Sequence, residues 1–220
     1  MTGRPKMDAE ITTIQDNVIE LATLVEDAIT YSVKAIKEQD AELARAVIDG
    51  DQKIDDLEED INEACFTLLA TQGPFATDLR YCVSIMKMIR DLERIGDHCE
   101  DMAKLAIRML EENYYKDLVD IPRMAEMARQ MVMNSISAFI DRDLRMSRKV
   151  WKLDEEADEL FRFIFDEQLK IAEKNPEYAK LALMFSFIAA HLERIADYAT
   201  NICEETVFLI EGDINMECGI

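Results

Sequence analysis

The sequence predicts an all-α protein made of two tandem three-helix bundles, with six long antiparallel helices that arise from an internal duplication. Three observations lead to this prediction: a composition rich in helix formers, long segments with helical spacing of apolar residues, and helix boundaries that recur along the chain. Of 220 residues, only 6 are Gly and 4 are Pro, whereas 49% are apolar. The chain can therefore form a core, and few residues interrupt its helices.

Apolar residues follow a helical period in several long segments. In the first of them, Ile14, Val18, Leu21 and Val25 recur at three- and four-residue steps and lie on one helix face. Helix-capping residues and prolines mark the breaks between the segments. The sequence thus predicts six helices at about 8–38, 41–71, 74–113, 120–140, 143–174 and 176–211.

The helix boundaries repeat along the chain. Asp143 follows Asp40 by 103 residues, and Pro176 follows Pro74 by 102 residues. At these distances, apolar residues of the two halves coincide: Ile29, Val33, Ile36, Ile54 and Leu57 match Val132, Ile136, Phe139, Ala157 and Leu160. We therefore expect one repeat at 8–114, a second at 120–212 and a C-terminal tail at 213–220. Short loops within each repeat require neighbouring helices to run antiparallel.

The charge of the chain limits its partners. A formal net charge of −21 argues against nucleic acid, because phosphate binding requires clustered, unopposed Lys and Arg. Metal cations and basic protein surfaces are the partners that this charge favours.

The cysteines and the hydropathy predict a cytoplasmic protein that is at most peripheral to a membrane. The first ten residues contain no apolar segment typical of a secretion signal, and the most apolar stretch, 181–190, is too short to cross a bilayer. The cysteines are odd in number and form no Cys-x-x-Cys motif, which favours reduced, packed thiols over disulfides or a thiolate zinc site. They are Cys65, Cys82, Cys99, Cys203 and Cys218.

Acidic pairs recur in both halves. The string Leu-Glu-Arg-Ile-Gly-Asp at 92–97 returns as Leu-Glu-Arg-Ile-Ala-Asp at 192–197. Glu and Asp four residues apart share one helix face, and a further oxygen donor follows at the next four-residue step. The middle helix of each half carries an equally spaced pair. The candidate metal ligands are Asp51, Asp55, Glu93, Asp97 and Asp101, then Asp154, Asp158, Glu193, Asp197 and Asn201.

The repetition of these pairs is more informative than any single pair. Among 46 acidic residues in 220, about nine such pairs are expected by chance. Four carboxylates packed together repel one another unless they are protonated or bridged by cations. Their oxygens suit magnesium, manganese, calcium or ferric iron, whereas zinc more often takes His or Cys as well. A purely solvated acidic face is the alternative.

Small residues and histidines accompany the acidic strings. Gly96 and Ala196 share a small size that would let a neighbouring helix or a metal approach, with ordinary close packing as the alternative. His98 and His191 are not equivalent, since Tyr198 stands where His98 would repeat. A histidine ligand common to both halves is thus excluded. His98 is expected to be a hydrogen-bonded helix residue, or else an additional ligand of the first site alone.

Three features point to a known family: the two acidic strings at 92–97 and 192–197, the segment Asp51-Gln-Lys-Ile-Asp55, and the segment Pro-Phe-Ala-Thr-Asp-Leu-Arg at 74–80. With them, the chain resembles the PhoU family of phosphate-uptake regulators over about residues 10–212. The resemblance implies two three-helix repeats whose acidic faces bind divalent or trivalent metal ions in mononuclear or multinuclear centres. Iron or zinc is implied first, with manganese or magnesium as alternatives. It also implies a non-catalytic cytoplasmic adaptor, a homodimer, that damps phosphate-starvation signalling through the phosphate ABC transporter and its sensor histidine kinase.

The second repeat departs from the family pattern. Tyr198 stands where family members often carry His, and the segment 176–183 lacks the Asp-Leu-Arg of the first repeat. We therefore expect the second site to differ in metal or occupancy. Two other hypotheses remain: a structural acidic bundle with solvated carboxylates, and a carboxylate-bridged di-iron protein. The latter would use Glu-x-x-His motifs, and the sequence contains none.

Overall fold

The computed structural model describes residues 5–73 and 75–212. Within these ranges it contains six α-helices, one short 3₁₀ helix and no strand, which confirms the predicted all-α class. The predicted tail at 213–220 lies outside the described residues, as does Pro74, the expected start of the third helix. The α-helices are α1 (Pro5–Glu38), α2 (Ala41–Gln72), α3 (Ala76–Arg108), α4 (Asp120–Asp141), α5 (Leu144–Lys174) and α6 (Ala179–Glu211).

The duplication is visible in the backbone between the first two helices of each repeat. Asp40 and Asp143 are N-caps, and the side chain of each accepts hydrogen bonds from the amides two and three residues further on. The residue before each cap, Gln39 or Arg142, has a left-handed backbone with φ of 53° or 54° and ends the preceding helix. The two loops therefore match residue by residue, as the sequence predicted.

The end of α3 differs from the prediction. This helix stops at Arg108, five residues before the predicted end at 113, and a side chain from another loop binds the carbonyls that follow it. The Nε2 group of Gln39 donates to the carbonyl oxygens of Met109 at 2.7 Å and Glu112 at 2.9 Å. These carbonyls thus accept from a side chain instead of continuing the helical ladder.

The start of α6 also differs from the prediction. Residues Pro176–Tyr178, which were expected to begin the helix, form the 3₁₀ helix, and α6 begins at Ala179. Short 3₁₀ turns are common at helix N-termini, where the first amides have no helical partner.

The two bundles share one core. Within the repeats, α2 packs against α1 and α3, and α5 packs against α4 and α6. Between the repeats, α3 packs against α6 and α1 against α4, so the buried apolar residues form one continuous cluster. The repeated apolar stripe is buried in both halves: Ile29, Val33, Ile36, Val132, Ile136 and Phe139.

The described cysteines are packed thiols, as predicted. Cys65, Cys82, Cys99 and Cys203 are free and buried, whereas Cys218 lies outside the described residues. Among the helices of the described ranges, none combines the length and the apolarity that a bilayer crossing requires.

Candidate metal-binding faces

The first acidic face lies where α2 packs beside α3, and its predicted carboxylates are Asp51, Asp55, Glu93 and Asp97. The helices approach closely because Gly96 has no side chain. A Cβ at that position would lie 3.1 Å from the Asp51 carboxyl oxygen Oδ1. Gly96 thus provides the room in which an α2 carboxylate lies against α3.

Burial and mutual repulsion raise the pKa values of these carboxyls. The pKa of Asp51 rises to about 6, mainly by burial and then by the charges of Asp55, Glu100 and Asp97. Burial, followed by the charge of Asp97, also raises the pKa of Asp55 and of Glu93. The face therefore holds more negative charge than its surroundings compensate, and a bound cation would remove that cost.

The second acidic face repeats this arrangement where α5 packs beside α6, with Asp154, Asp158, Glu193 and Asp197. The pKa of Asp154 rises to about 6, mainly by burial and then by the charges of Asp158 and Asp197. Burial is also the main cause that raises the pKa of Glu193 and of Asp197. The side chains of Glu193 and Asp197 are 24% and 39% exposed, as are those of Glu93 and Asp97. The two faces are therefore equivalent in depth.

Beneath the faces, the two repeats fill the gap between their helices differently. In the first repeat a large residue of α2, Ile54, lies against Gly96, and a Cβ on the glycine would be 3.1 Å from the Ile54 Cδ1 atom. The equivalent positions of the second repeat hold Ala157 and Ala196, both buried. The methyl group gained on α6 is thus matched by a smaller side chain on α5.

Arginines lie against both acidic strings. The Nη1 group of Arg94 is 2.9 Å from Asp97, and that of Arg194 is 3.2 Å from Asp197. Across residues 5–73 and 75–212, no three His, Cys, Asp or Glu side chains converge as a ready ligand group. The carboxylate oxygens fit a hard cation in chemistry and depth. To bind one, the carboxylates must rotate towards each other and away from the arginines.

The structure does not bring Asp101 and Asn201 into these faces. Both are exposed, and an oxygen of Asp101 lies 3.4 Å from Lys104. A helix turns about 100° per residue, so a residue eight positions after Glu93 is rotated about 80° away from it. Four-residue steps therefore leave the face after the second carboxylate.

The carboxylate that extends the first face is Glu100, which the sequence analysis missed. Its charge raises the pKa values of Asp51 and Asp55. Seven residues after Glu93 correspond to a rotation of only about 20° from it, so this spacing was the available signal. Thr200 stands at the equivalent position, and the second face lacks this carboxylate.

The two histidines meet between the repeats. The Nδ1 atoms of His98 on α3 and His191 on α6 are 3.0 Å apart, and the ring of Tyr198 lies 5.8 Å from that of His98. Burial lowers the pKa of both histidines, and the charge of His191 lowers the pKa of His98 further. His98 is thus hydrogen-bonded, as predicted, but its partner lies in the other repeat.

The fold and the two acidic faces together define the class of this protein: six helices in two duplicated repeats, with one acidic face in each repeat. A family model described as PhoU domain matches residues 18–106 and 121–206, once in each repeat. A phosphate-specific transport system accessory protein PhoU homolog of Aquifex aeolicus is 39% identical over 209 residues, which are 95% of each chain. This chain belongs to the PhoU family. Its relatives are accessory proteins, and the prediction that it is not an enzyme is confirmed.

Two solved structures have the same fold. PhoU of Pseudomonas aeruginosa is 30% identical and has a TM-score of 0.90, with 94% of this chain and 99% of that chain covered. The phosphate transport system regulatory protein PhoU of Streptococcus pneumoniae is 27% identical, with a TM-score of 0.89 and coverage of 96% and 100%. These similarities confirm the predicted two-repeat helical fold over nearly the whole chain.

Proposed function

We propose that this protein is a metal-binding regulatory adaptor of phosphate uptake. One observation carries the proposal: partly buried acidic faces recur at equivalent positions in both repeats of a PhoU-family chain. Its relatives are accessory proteins of a phosphate-specific transport system. We infer that it acts in the cytoplasm through contacts with the phosphate ABC transporter and its sensor histidine kinase, and thereby damps phosphate-starvation signalling.

The carboxylates of each face supply the metal ligands in this proposal. A bound iron, zinc, manganese or magnesium ion would supply positive charge that offsets their repulsion. Asp51 and Asp55 belong to α2, whereas Glu93 and Asp97 belong to α3. Ligation across the face would therefore connect two helices and make the outer surface of the repeat responsive to metal. The extra Glu100 gives the first face more ligands than the second.

The structural acidic bundle is the competing function, and one observation favours it. Arg94 and Arg194 already lie against the acidic pairs of both repeats. If arginines and solvent alone balance the carboxylates, the faces need no metal. Metal content therefore decides between the two hypotheses.

The metal proposal is tested on full-length protein purified without chelator. We expect bound iron or zinc, and after chelation we expect a higher melting temperature when iron, zinc, manganese or magnesium is added. Free metal at 100 times its Kd stabilises a protein by about 2.7 kcal/mol. Protein without stoichiometric metal and without this rise would support the structural bundle instead.

A pair of variants locates the metal. Glu93→Gln with Asp97→Asn should reduce the metal content and the rise in melting temperature, because it removes two carboxylates from the first face. The matched control is Glu59→Gln with Glu63→Gln, an equally spaced pair exposed on α2. Equal loss of metal in both variants would contradict the assignment of the metal to the face.

The regulatory proposal is tested separately in cells. Deletion of the gene should raise phosphate uptake and alkaline phosphatase in phosphate-rich medium, and the wild-type chain should restore repression. Unchanged output after deletion would refute the regulator. Complementation with the Glu93→Gln and Asp97→Asn variant then tests whether the first face is needed for repression, with the Glu59→Gln and Glu63→Gln variant as control.

The homodimer stays a prediction. Sedimentation equilibrium of the full chain measures its mass, and a value twice that of the monomer is expected. The same measurement with and without added metal shows whether self-association depends on the acidic faces. A monomer under both conditions would contradict the homodimer.

A further inference from the structure

His98 and His191 form a side-chain pair that the acidic faces do not explain. They belong to different repeats, and they meet because α3 and α6 run antiparallel. His98 faces His191, and, further along, Lys87 of α3 faces Glu205 of α6. Both histidines are half-buried, so their rings are held between two packed helices.

The distance between the two rings suits a common metal ion. At Zn–N bond lengths of about 2.0–2.1 Å and a tetrahedral angle, two ligand nitrogens lie about 3.3 Å apart. The Nδ1 atoms here are 3.0 Å apart, so a small movement of either ring would suffice. Without metal, one Nδ1 donates its hydrogen to the other. With the hydrogen of each neutral ring on Nε2, both Nδ1 lone pairs are free to bind.

Asp101 would supply a third donor after a rotation of its side chain, since the two histidines and this carboxylate do not converge in the structure. It lies three residues after His98 on the same helix, and its charge acts on both histidines. Its carboxylate is exposed and lies 3.4 Å from Lys104, a contact on the protein surface that a side-chain rotation can exchange. Two imidazoles and one carboxylate form a donor set typical of zinc and other borderline transition metals.

We propose that His98, His191 and Asp101 form a binding site for a divalent transition metal, with zinc as the probe, at the junction of the two repeats. This site is separate from the acidic faces and does not depend on the proposed function. Because its histidines come from α3 and α6, bound metal would connect the repeats, whereas metal on either face connects helices within one repeat. Water would complete the coordination shell.

The charges around the junction come from both helices. On α3, Asp97 and Asp101 favour a cation near His98; on α6, Arg194 opposes it. Arg194 is exposed and lies 3.2 Å from Asp197, which partly compensates its charge. The carboxylates therefore outweigh the arginine, and the local field favours a metal cation.

Zinc binding is measured in a background in which each acidic face has lost two of its carboxylates. The background carries Glu93→Gln, Asp97→Asn, Glu193→Gln and Asp197→Asn, and circular dichroism checks its helices. We expect this protein to retain one equivalent of zinc, with two imidazole ligands visible by X-ray absorption. No bound zinc, or zinc with oxygen ligands only, would overturn the proposal. The face carboxylates that remain offer oxygen ligands only, so detection of two imidazole ligands makes the result independent of whether the faces bind iron.

Single substitutions then test the ligands. Loss of a hydrogen-bond partner of a metal ligand weakens metal binding by about 10- to 100-fold. His98→Ala or His191→Ala in that background removes a ligand itself and should weaken zinc binding by more than this. Tyr198→Phe is the matched control, since it keeps the ring beside His98 and removes only the hydroxyl. Unchanged zinc affinity after either histidine substitution would overturn the ligand set, as would loss of zinc in the tyrosine variant.

A second measurement applies if the background does not fold. Copper(II) bound to the wild-type chain at one equivalent should show nitrogen hyperfine coupling from two imidazoles in its electron paramagnetic resonance spectrum. His98→Ala should reduce this signal to one imidazole. Identical spectra for the wild type and the variant would overturn the proposal.

Discussion

Neutralising Asp51 should stabilise the metal-free protein. Its pKa is raised from 3.8 to about 6 by burial and by neighbouring carboxylates, so its charge opposes folding at neutral pH. A rise of this size corresponds to about 3 kcal/mol. Because the side chain is partly exposed, we halve this figure to about 1.5 kcal/mol. Asp51→Asn should therefore raise the melting temperature of the chelated protein by about 3–6 °C at pH 7.5.

The pH dependence gives the sign of this effect. A raised carboxyl pKa destabilises the folded state only where the carboxyl is ionised, so the wild type loses stability as the pH rises from about 4 to about 6. The advantage of Asp51→Asn should be small at the low end of this window and constant above it. Thermal unfolding of both proteins across this range, with chelator present, measures the difference.

Two further measurements make this prediction refutable. Asp60→Asn on the exposed side of α2 removes the same charge from the same helix and should change stability by less than about 0.5 kcal/mol. With iron or zinc added, Asp51→Asn should gain less than the wild type, because it has lost a ligand. A lower stability of Asp51→Asn without metal, or a gain that does not depend on pH, would refute the electrostatic reasoning.

Two predictions concern packing and the end of α3. Ile54→Ala should cost about 2–5 kcal/mol alone, but combining it with Gly96→Ala reproduces the residue pair of the second repeat. We expect denaturant unfolding to show a favourable coupling of about 0.5–3 kcal/mol between them, whereas additive effects would contradict the close contact. Gln39→Ala should destabilise by about 1–2 kcal/mol more than Arg142→Ala, because the Gln39 side chain donates to the carbonyls that follow α3. Equal effects at these two left-handed positions would show that the side-chain bonds contribute nothing.

The sequence was sufficient to predict the ends of those helices that neighbouring side chains determine. Asp40 and Asp143 cap α2 and α5 with their own side chains, so the starts of these helices could be predicted from the local sequence. The end of α3 could not be predicted in this way. It depends on Gln39, which is distant in sequence and comes close only when the bundle has formed.

The candidate faces were predicted in part, for a geometric reason. Pairs four residues apart, such as Glu93 and Asp97, do share a face, but a second four-residue step leads to exposed Asp101 rather than to Glu100. The rotation away from the face grows with each four-residue step, because a helix has 3.6 residues per turn. Comparison of equivalent positions also could not reveal that His98 meets His191, since an antiparallel helix pair brings non-equivalent positions together.

The residues beneath the two faces differ, and this difference restricts which helices can be exchanged between the two repeats. The first repeat keeps its helices close with Gly96 opposite Ile54, whereas the second uses Ala196 and Ala157. A third helix transplanted alone from the second repeat to the first would bring a methyl group onto a large neighbour. The middle and third helices must therefore move as a matched hairpin. Recombination between the halves is constrained to that unit, even though the acidic residues above it are nearly the same.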